Sequence, residues 1–328
     1  MSRPDVQERA GTLRRDRVPF VHARVVRAER PTSAKPGDEA LILPDGTVEG
    51  FVGGTCAEST VRAQSLALLD SGETLLLRVS PVDEPGRTDP PGTVTAYNPC
   101  LSGGTLEIFL EPVVPAPRVA VHGDTPIARA LLALGRPLGY DAVPFGTTTL
   151  DGTAAVVIAS HGRGEEEALA AALAAGVPYV GLVASRTRGE AVLAAVTEGG
   201  PALPVPASGG PSESVAPAVR TRVHCPAGLD IGARTPEEVA LSILAEIVAC
   251  RPRPSGRAFP PAGDGADGAG DGRLAGTATD PVCGMTVATV ETSLHLDHDG
   301  ERRWFCGSGC LRAFAADPSA YPVPVRRG

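Results

Sequence analysis

The sequence predicts an α/β protein in three parts, and three patterns along the 328 residues indicate it. Residues 18–114 contain short strands separated by turns, with one long apolar-periodic helix, which is typical of an α+β domain. Residues 118–251 alternate strands with helices, which indicates a Rossmann-like, doubly wound parallel sheet. Residues 280–322 hold three cysteines within a short segment, which indicates a small metal-binding-type module.

The first domain is predicted from its turns and its helix. Pro44, Asp45 and Gly46 form a turn between two strands. A helix begins near Ala57 and ends at Gly72, because glycine favours the left-handed conformation at helix ends. The intervening residues 81–99 read as an exposed loop, and the strands are predicted at residues 18–28, 40–43, 47–52, 74–79 and 105–110.

The second domain begins after a Pro-Ala-Pro boundary. Thr125 can cap its first helix, with proline at the first helical position. Thr235 and Glu238 form a capping box for a helix over residues 236–250. A further helix covers residues 165–175, and the strands are predicted at residues 118–122, 140–144, 154–159 and 179–184.

Composition limits the functional classes. The net charge is −8 and no basic tract dominates, so nucleic-acid binding is not expected. The first 17 residues are charged, and no run of about 18 apolar residues occurs, so neither a signal peptide nor a membrane span is predicted. We therefore expect a cytoplasmic protein with reduced thiols. Residues 252–279 have almost no large apolar side chains and are predicted to be a disordered linker.

The first candidate site follows the strand that ends at Val52. Gly53 and Gly54 leave room for a ligand near the backbone, and Cys56 comes at the start of the predicted helix, shortly before Glu58. A thiol at a helix N-terminus can have its pKa lowered from about 8.5 to roughly 3.5–7.5. The alternative is a buried cysteine after an ordinary turn.

A second cysteine of the same domain also lies beside paired glycines. Cys100 precedes Gly103 and Gly104, which lead into the strand over residues 105–110. We therefore expect Cys56 and Cys100 to approach each other. Together the two stretches resemble the N-terminal domain of the XdhC/CoxI family, whose members help to mature molybdenum hydroxylases. The usual first motif has a third glycine where this chain has Thr55.

The second domain extends this resemblance, which covers roughly residues 20–251 and is closest to the CoxI branch. The segments that resemble the family are 160–166, 180–186 and 225–233. The most specific matches are the Pro-Ala-Gly-Leu-Asp motif at 226–230 and the Thr-Pro-Glu-Glu motif at 235–238. Because strand-end loops of such a sheet share one crevice, ligand-binding candidates converge there. These candidates are Gly123, Thr125, His161, Ser185, Arg186 and Asp230, with Arg163 nearby. A purely solvent-exposed role for His161 is an equal alternative.

A conventional dinucleotide site is not expected in this domain. The fingerprint G-x-G-x-x-G keeps only Gly123, because Thr125 and Ala128 occupy the later glycine positions. No acidic residue follows the next strand to bind a ribose. A phosphate could still rest on the helix N-terminus.

The final module has its own resemblance. Cys283, Cys306 and Cys310, with Trp304 and Phe314, resemble a YHS domain, which is tied to heavy-metal proteins. The cysteines are expected to bind zinc or copper(I), with His295 or His298 as a candidate fourth ligand. Packing around the aromatic residues without a metal is the alternative.

The resemblance implies an accessory protein that binds molybdenum cofactor, as molybdopterin or its cytosine dinucleotide. Its implied partners are a xanthine or carbon monoxide dehydrogenase-type hydroxylase and a sulfur-donating desulfurase; a homodimer is left open. A cofactor-handling chaperone is favoured over a turnover enzyme, so no catalytic residue is predicted. Two alternatives stay open: an NAD(P)-dependent oxidoreductase, and a heavy-metal sensor or carrier acting through the final module.

Overall fold

The computed structural model describes residues 3–82, 88–99, 104–199, 221–251 and 276–321. The chain divides into two compact units, one formed by residues 1–115 with 253–328 and the other by residues 116–252. Each unit is built on its own β-sheet with helices packed against it. The predicted α/β fold class is confirmed.

The first unit contains a six-stranded mixed sheet. Its strands lie in the order β3-β2-β1-β6-β4-β5, and all neighbours are antiparallel except β4 and β5. The strands are β1 (Phe20–Glu29), β2 (Glu39–Ile42), β3 (Val48–Gly50), β4 (Leu75–Ser80), β5 (Thr93–Tyr97) and β6 (Thr105–Val113).

Two helices cover opposite faces of this sheet. Helix α1 (Arg3–Arg15) packs on Leu41, whereas helix α2 (Thr55–Ser71) packs on the side that Ala40 and Ile42 face. This division follows from the strand, where successive side chains point to opposite faces. Both faces of β2 are therefore buried.

Three features of this unit differ from the sequence expectations. Helix α1 was not predicted, although its buried residues Val6, Ala10 and Leu13 repeat at helical spacing. Residues 81–99 were expected to be an exposed loop, but they contain strand β5. This strand forms because it pairs in parallel with β4. Gly72 does end α2, in the left-handed conformation.

The second unit contains a five-stranded parallel sheet in the order β11-β10-β9-β7-β8. Its strands are β7 (Arg118–His122), β8 (Asp141–Pro144), β9 (Thr153–Ile158), β10 (Tyr179–Leu182) and β11 (Val223–His224). Its helices are α3 (Pro126–Gly135), α4 (Glu165–Ala174), α5 (Arg186–Gly199) and α6 (Pro236–Cys250).

The second sheet is buried on both faces. Val119 and Val121 join the core with α3 and α6, while Ala120 between them joins the core with α4 and α5. This is the layering of a doubly wound fold. The capping box of Thr235 and Glu238 is present at α6, as predicted.

The C-terminal module consists of two hairpin-like strand pairs and a helix. They are β12 (Thr277–Thr279), β13 (Thr286–Ala288), β14 (Leu294–His298), β15 (Glu301–Phe305) and α7 (Ser308–Ala316). The described module starts at residue 276, inside the stretch expected to be linker; the earlier linker residues lie outside the described part. Asp299 and Gly300 form the hairpin turn, both with positive φ.

The module packs against the first domain, within the same compact unit. Strand β13 lies along α2. The Thr292 hydroxyl donates a hydrogen bond to the Asp45 carbonyl at 3.0 Å. A Cβ atom placed on Gly46 would lie 2.6 Å from Cγ2 of Val290, so the turn and the module are closely fitted. The turn predicted between β2 and β3 is therefore also a docking surface for the module.

Candidate functional site

The start of α2 places the first candidate cysteine. Gly54 is the N-cap residue in extended conformation, and no described residue lies within 4 Å of the position of its missing side chain. Cys56 is the second residue of the helix and is partly buried. Its backbone therefore belongs to the first turn, where amide groups have no partner within the helix. Gly53 has φ +145°, and a Cβ there would lie 2.9 Å from the Ala57 Cβ.

Glu58, the other candidate in this stretch, holds the adjacent turn in place. Its carboxylate accepts a hydrogen bond from Arg62 at 2.8 Å, and the same guanidinium donates to the Gly46 carbonyl at 2.7 Å. The Glu58 side chain thus orients Arg62 across the surface that the module covers. Its predicted part in cofactor binding stays a prediction.

Two of the three candidates in the second cysteine stretch lie outside the described residues. These are Cys100 and Gly103, so their expected approach to Cys56 stays a prediction. Gly104 is described, and a Cβ there would lie 2.2 Å from the Pro31 carbonyl oxygen. This glycine allows the start of β6 to approach the end of β1 closely.

The C-terminal module brings four metal-ligand side chains together. We call Asp280, Cys283, Cys306 and Cys310 the cysteine cluster; their ligand atoms all lie within 4.8 Å of one another. The Sγ atom of Cys306 lies 3.5 Å from that of Cys283 and 3.7 Å from that of Cys310. Asp280 and Cys306 are buried and the other two are partly buried. Such a group fits a soft ion of tetrahedral preference.

Asp280 was missed by the sequence analysis, which expected a histidine as the fourth ligand. Among the described residues, the four-membered group contains neither His295 nor His298. The Nδ1 atom of His295 lies 2.9 Å from the Ser293 carbonyl, and the His298 ring packs edge-on against Phe314. Aspartate is common in turns, so Asp280 before Pro-Val-Cys did not indicate a metal ligand from the sequence.

Hydrogen bonding between the thiols separates their acidities. The bond from Cys306 lowers the pKa of Cys283 to about 7, because it stabilises the Cys283 thiolate. The same bond and burial raise the pKa of Cys306. Burial, followed by the charges of Asp280 and Cys283, raises the pKa of Cys310 to about 12. Metal binding would therefore displace protons from Cys306 and Cys310 near neutral pH.

Cys56 and the cysteine cluster are neighbours. Cys56 packs against the small apolar core of Met285, Val287 and Cys306, which Cys283, Trp304 and Cys310 also contact. A Cβ atom placed on Gly307 would lie 3.9 Å from the Cys56 Sγ. Two motifs that the sequence analysis treated separately therefore meet in one unit.

In the second unit, the predicted fingerprint turn is occupied by the protein itself. Gly123 has φ +112°, and a Cβ there would lie 2.2 Å from the Ala159 carbonyl oxygen. The Thr125 hydroxyl donates to that same carbonyl at 2.8 Å and accepts from the Ala128 amide at 3.2 Å. The Thr125 cap is confirmed, and Gly123 serves the contact between the β7 and β9 loops.

The neighbouring loop is held by a buried carboxylate. Glu165, which is 1% exposed, accepts from the Gly162 amide at 2.6 Å and from Arg188 at 3.0 Å. An acidic side chain therefore already occupies the start of α4, where an anionic ligand would otherwise be favoured. His161 lies on this loop with φ 53° and is exposed. Its role as ligand or acid–base group stays a prediction.

The remaining candidates are exposed. Ser185 precedes α5 and its hydroxyl accepts from the Arg188 amide at 3.4 Å, while Arg186 is the first residue of that helix. Asp230 lies on the loop before α6. Arg163 pairs with Asp124 at 2.9 Å, with most of its side chain in solvent. A guanidinium at a helix start suits a phosphate, which favours Arg186 among these groups.

A polar group that the sequence analysis missed supports the Asp230 loop. Glu246 of α6 accepts from the Gly228 amide at 2.7 Å and from the Tyr179 hydroxyl at 2.6 Å. Its other oxygen lies 3.2 Å from Nδ1 of His224. Burial of Tyr179, together with the hydrogen bond from its hydroxyl to Glu246, raises the pKa of Tyr179. Glu246 thus ties the loop after β11 to β10.

The protein combines three parts: an α+β domain with a cysteine at the start of a helix, a doubly wound parallel domain, and a module with three clustered thiols. Residues 13–80 match the XdhC and CoxI family. Residues 119–247 match the XdhC Rossmann domain. Both domains that the sequence resembled are therefore present, in the expected order.

Individual relatives are distant. The uncharacterized protein YqeB of Escherichia coli (strain K12) is 27% identical over 267 residues, which cover 73% of this chain and 45% of YqeB. The chain thus spans about half the length of that relative. A crystal structure titled as a xanthine dehydrogenase from Bacillus halodurans is 17% identical, with 76% of this chain and 97% of that chain covered. Its TM-score is 0.32.

Of the helices in the described ranges, none combines the length and the apolar character that crossing a bilayer requires.

Proposed function

We propose that this chain is an accessory protein that binds molybdenum cofactor and assists its insertion into a molybdenum hydroxylase. The client would be an enzyme of the xanthine dehydrogenase or carbon monoxide dehydrogenase type. The two matched domains support a role in maturing such enzymes. The observation that carries the cofactor assignment is Cys56, the second residue of α2, beside the open N-cap position at Gly54.

The chemistry of this position suits the cofactor. A thiolate is a soft ligand, which favours contact with molybdenum or a sulfur to be transferred. The first-turn amides of α2 favour a negatively charged group. Gly54 leaves space at the helix start, which a larger side chain would restrict. Cys56 would hold the reactive end of the cofactor, with Cys100 as its expected second thiol.

In the second domain, we propose the start of α5 as the position that suits a phosphate group of the cofactor. Arg186 and Ser185 are exposed there, whereas the turns at Gly123 and Glu165 are filled by contacts within the protein. His161 and Asp230 are retained as further contacts. A conventional nicotinamide site is disfavoured, since Gly123 is needed for close packing on Ala159.

The finer parts of the assignment are also proposals. We place the chain in the CoxI branch and the final module among YHS domains, on the residues quoted above. A desulfurase would supply sulfur to the bound cofactor. The soft-metal site is assigned to the cysteine cluster, on the four ligand atoms within 4.8 Å of one another.

Titration of the purified apo-chain tests the cofactor assignment. The probe is molybdenum cofactor freshly released from a molybdenum hydroxylase under anaerobic conditions, followed by pterin fluorescence. We expect binding in the micromolar range, about −8 kcal/mol. NADH and NADPH should show no saturation in the same range. Saturable nicotinamide binding with no pterin response would replace the proposal with the oxidoreductase alternative.

A metal carrier is the second candidate function, and the cysteine cluster favours it. It differs from the first proposal in what the purified protein should contain. A carrier would hold about one soft metal ion per chain without pterin. An accessory protein for molybdenum hydroxylases would hold pterin, whether or not the metal is also present.

A further inference from the structure

The contact between Cys56 and the C-terminal module joins residues that are far apart in the sequence. Cys56 belongs to the first turn of α2, and the core it contacts includes Cys306. Gly307, the next residue, faces the same turn: a Cβ there would lie 3.7 Å from Cγ2 of Thr55. The start of α7 and the start of α2 therefore meet at the cysteine cluster.

Neighbouring contacts fix the module at this place. The Thr292 hydroxyl donates a hydrogen bond to the Asp45 carbonyl, and the Val290 side chain packs against Gly46. Arg62 of α2 holds the Gly46 carbonyl from the other side at 2.7 Å. These contacts hold the module against α2, the helix whose second residue is Cys56.

The cluster itself contains three thiols and one carboxylate. The two oxygens of Asp280 already accept hydrogen bonds from the backbone amides of Val282 at 2.9 Å and Cys306 at 2.8 Å. A carboxylate is also a harder ligand than a thiolate, so a soft ion gains more from a fourth sulfur. Asp280 is therefore better placed to shape the Cys306 loop than to complete the coordination.

We propose that Cys56 supplies the fourth thiolate to a soft metal ion held by Cys283, Cys306 and Cys310. The proposal rests on the metal site assigned above to the cysteine cluster. Cys56 packs against the same small core as Cys283, Cys306 and Cys310, which makes it the candidate for a fourth sulfur among the described cysteines. Each thiol releases its proton to solvent as its sulfur–metal bond forms, and no oxidation state changes.

Such an ion would join the module to the first domain. With metal bound, Cys56 is engaged and the module is pinned over the helix start; without metal, the Cys56 thiol becomes available to another ligand. Metal and molybdenum cofactor would then compete for one sulfur. Competition of this kind is reciprocal, since each ligand weakens the other by the same factor.

A cadmium titration of the full reduced chain tests the ligand set. Cadmium is soft, and its thiolate bonds give an ultraviolet charge-transfer absorption that grows with the number of sulfurs. We expect C56S to bind Cd²⁺ about tenfold or more weakly than the wild type, as loss of a supporting ligand predicts. Its absorption per bound ion should fall by about one quarter. The matched control is C250S, which changes an exposed cysteine of the other unit and should match the wild type.

A second readout uses the wild-type chain and does not depend on the folding of any variant. Iodoacetamide labelling of Cys56, followed by mass spectrometry, should slow about tenfold or more when Cd²⁺ is added.

Three results would overturn the proposal. They are a wild-type chain that binds no Cd²⁺, a C56S chain that matches C250S in affinity and absorption, and Cys56 labelling that is unchanged by the ion. A chain that binds no pterin would contradict the proposed function and leave these metal results as they stand.

Discussion

The start of α2 and the strand-end loops of the second unit look alike in sequence, since both combine glycines with polar residues after a strand. In the second unit, the polar groups pair with one another: Thr125 with the Ala159 carbonyl, and Glu165 with Gly162 and Arg188. At the start of α2, Gly54 faces open space and Cys56 lies beside the thiols of the module.

The difference separates glycines that serve packing from glycines that leave room. A Cβ atom added to Gly123 or to Gly104 would lie 2.2 Å from a backbone carbonyl oxygen. Those positions admit no side chain and leave no room for a ligand on that side. Among the residues that the structure describes, none lies within 4 Å of the same position at Gly54. The space beside Gly54 therefore supports the proposed ligand position at the start of α2.

The largest predicted effect is on the packing glycine. In G123A, the added methyl would clash with the Ala159 carbonyl, and alanine would have to adopt the positive φ that Gly123 has. We therefore expect the free energy of unfolding to fall by about 3 kcal/mol or more. Urea unfolding followed by far-UV circular dichroism measures it. The fluorescence of Trp304, which lies in the first unit, should report an unchanged transition.

The matched control for this variant is G146A. Gly146 also has a left-handed φ, of +82°, but no atom of the described residues lies within 4 Å of an added Cβ. The expected loss is about 1 kcal/mol from backbone strain alone. Equal losses for the two variants would mean that the close approach to Ala159 is unimportant.

The buried carboxylate gives an intermediate effect. In E165Q, the amide keeps a contact to Gly162 but loses the charge that faces Arg188. Because Arg188 is about half exposed, we expect a loss of only about 1–2 kcal/mol. The control is E166Q, an exposed neighbour on α4, with an effect within about 0.5 kcal/mol. An unchanged unfolding midpoint for E165Q would show that the loop is held by other contacts.

The smallest effect on stability is expected at the candidate site itself. Cys56 is partly buried, and serine is nearly the same size, so C56S should cost about 1 kcal/mol or less in apo-protein. Trp304 fluorescence should follow the wild-type unfolding curve within that margin. A large loss would instead give Cys56 a mainly structural role in docking the module.

Local signals in the sequence predicted much of the fold. Three predicted helix ends are confirmed: the Thr235 capping box, the Thr125 cap and the left-handed Gly72. Each could be predicted because it depends on residues within one turn of a helix. The hairpin turn at Asp299 and Gly300 is likewise local. The alternation of strands and helices was sufficient to predict the parallel sheet of the second unit.

Long-range contacts could not be predicted in this way. Packing of the module on α2 joins Asp45 to Thr292, and no local pattern records that pairing. This contact predicts that metal binding to the module also affects the first domain. Asp280 and Glu246 were missed because their partners come from other elements.

The most direct test of the central claim is the cofactor content of the purified protein. Wild-type chain, C56S and the exposed control C250S are each purified anaerobically from cells that make molybdopterin, and pterin and molybdenum are quantified per chain. The account predicts pterin in the wild type and in C250S, with a loss of about tenfold or more in C56S. Equal pterin in all three proteins, or none in the wild type, would contradict the assignment of Cys56 to the cofactor.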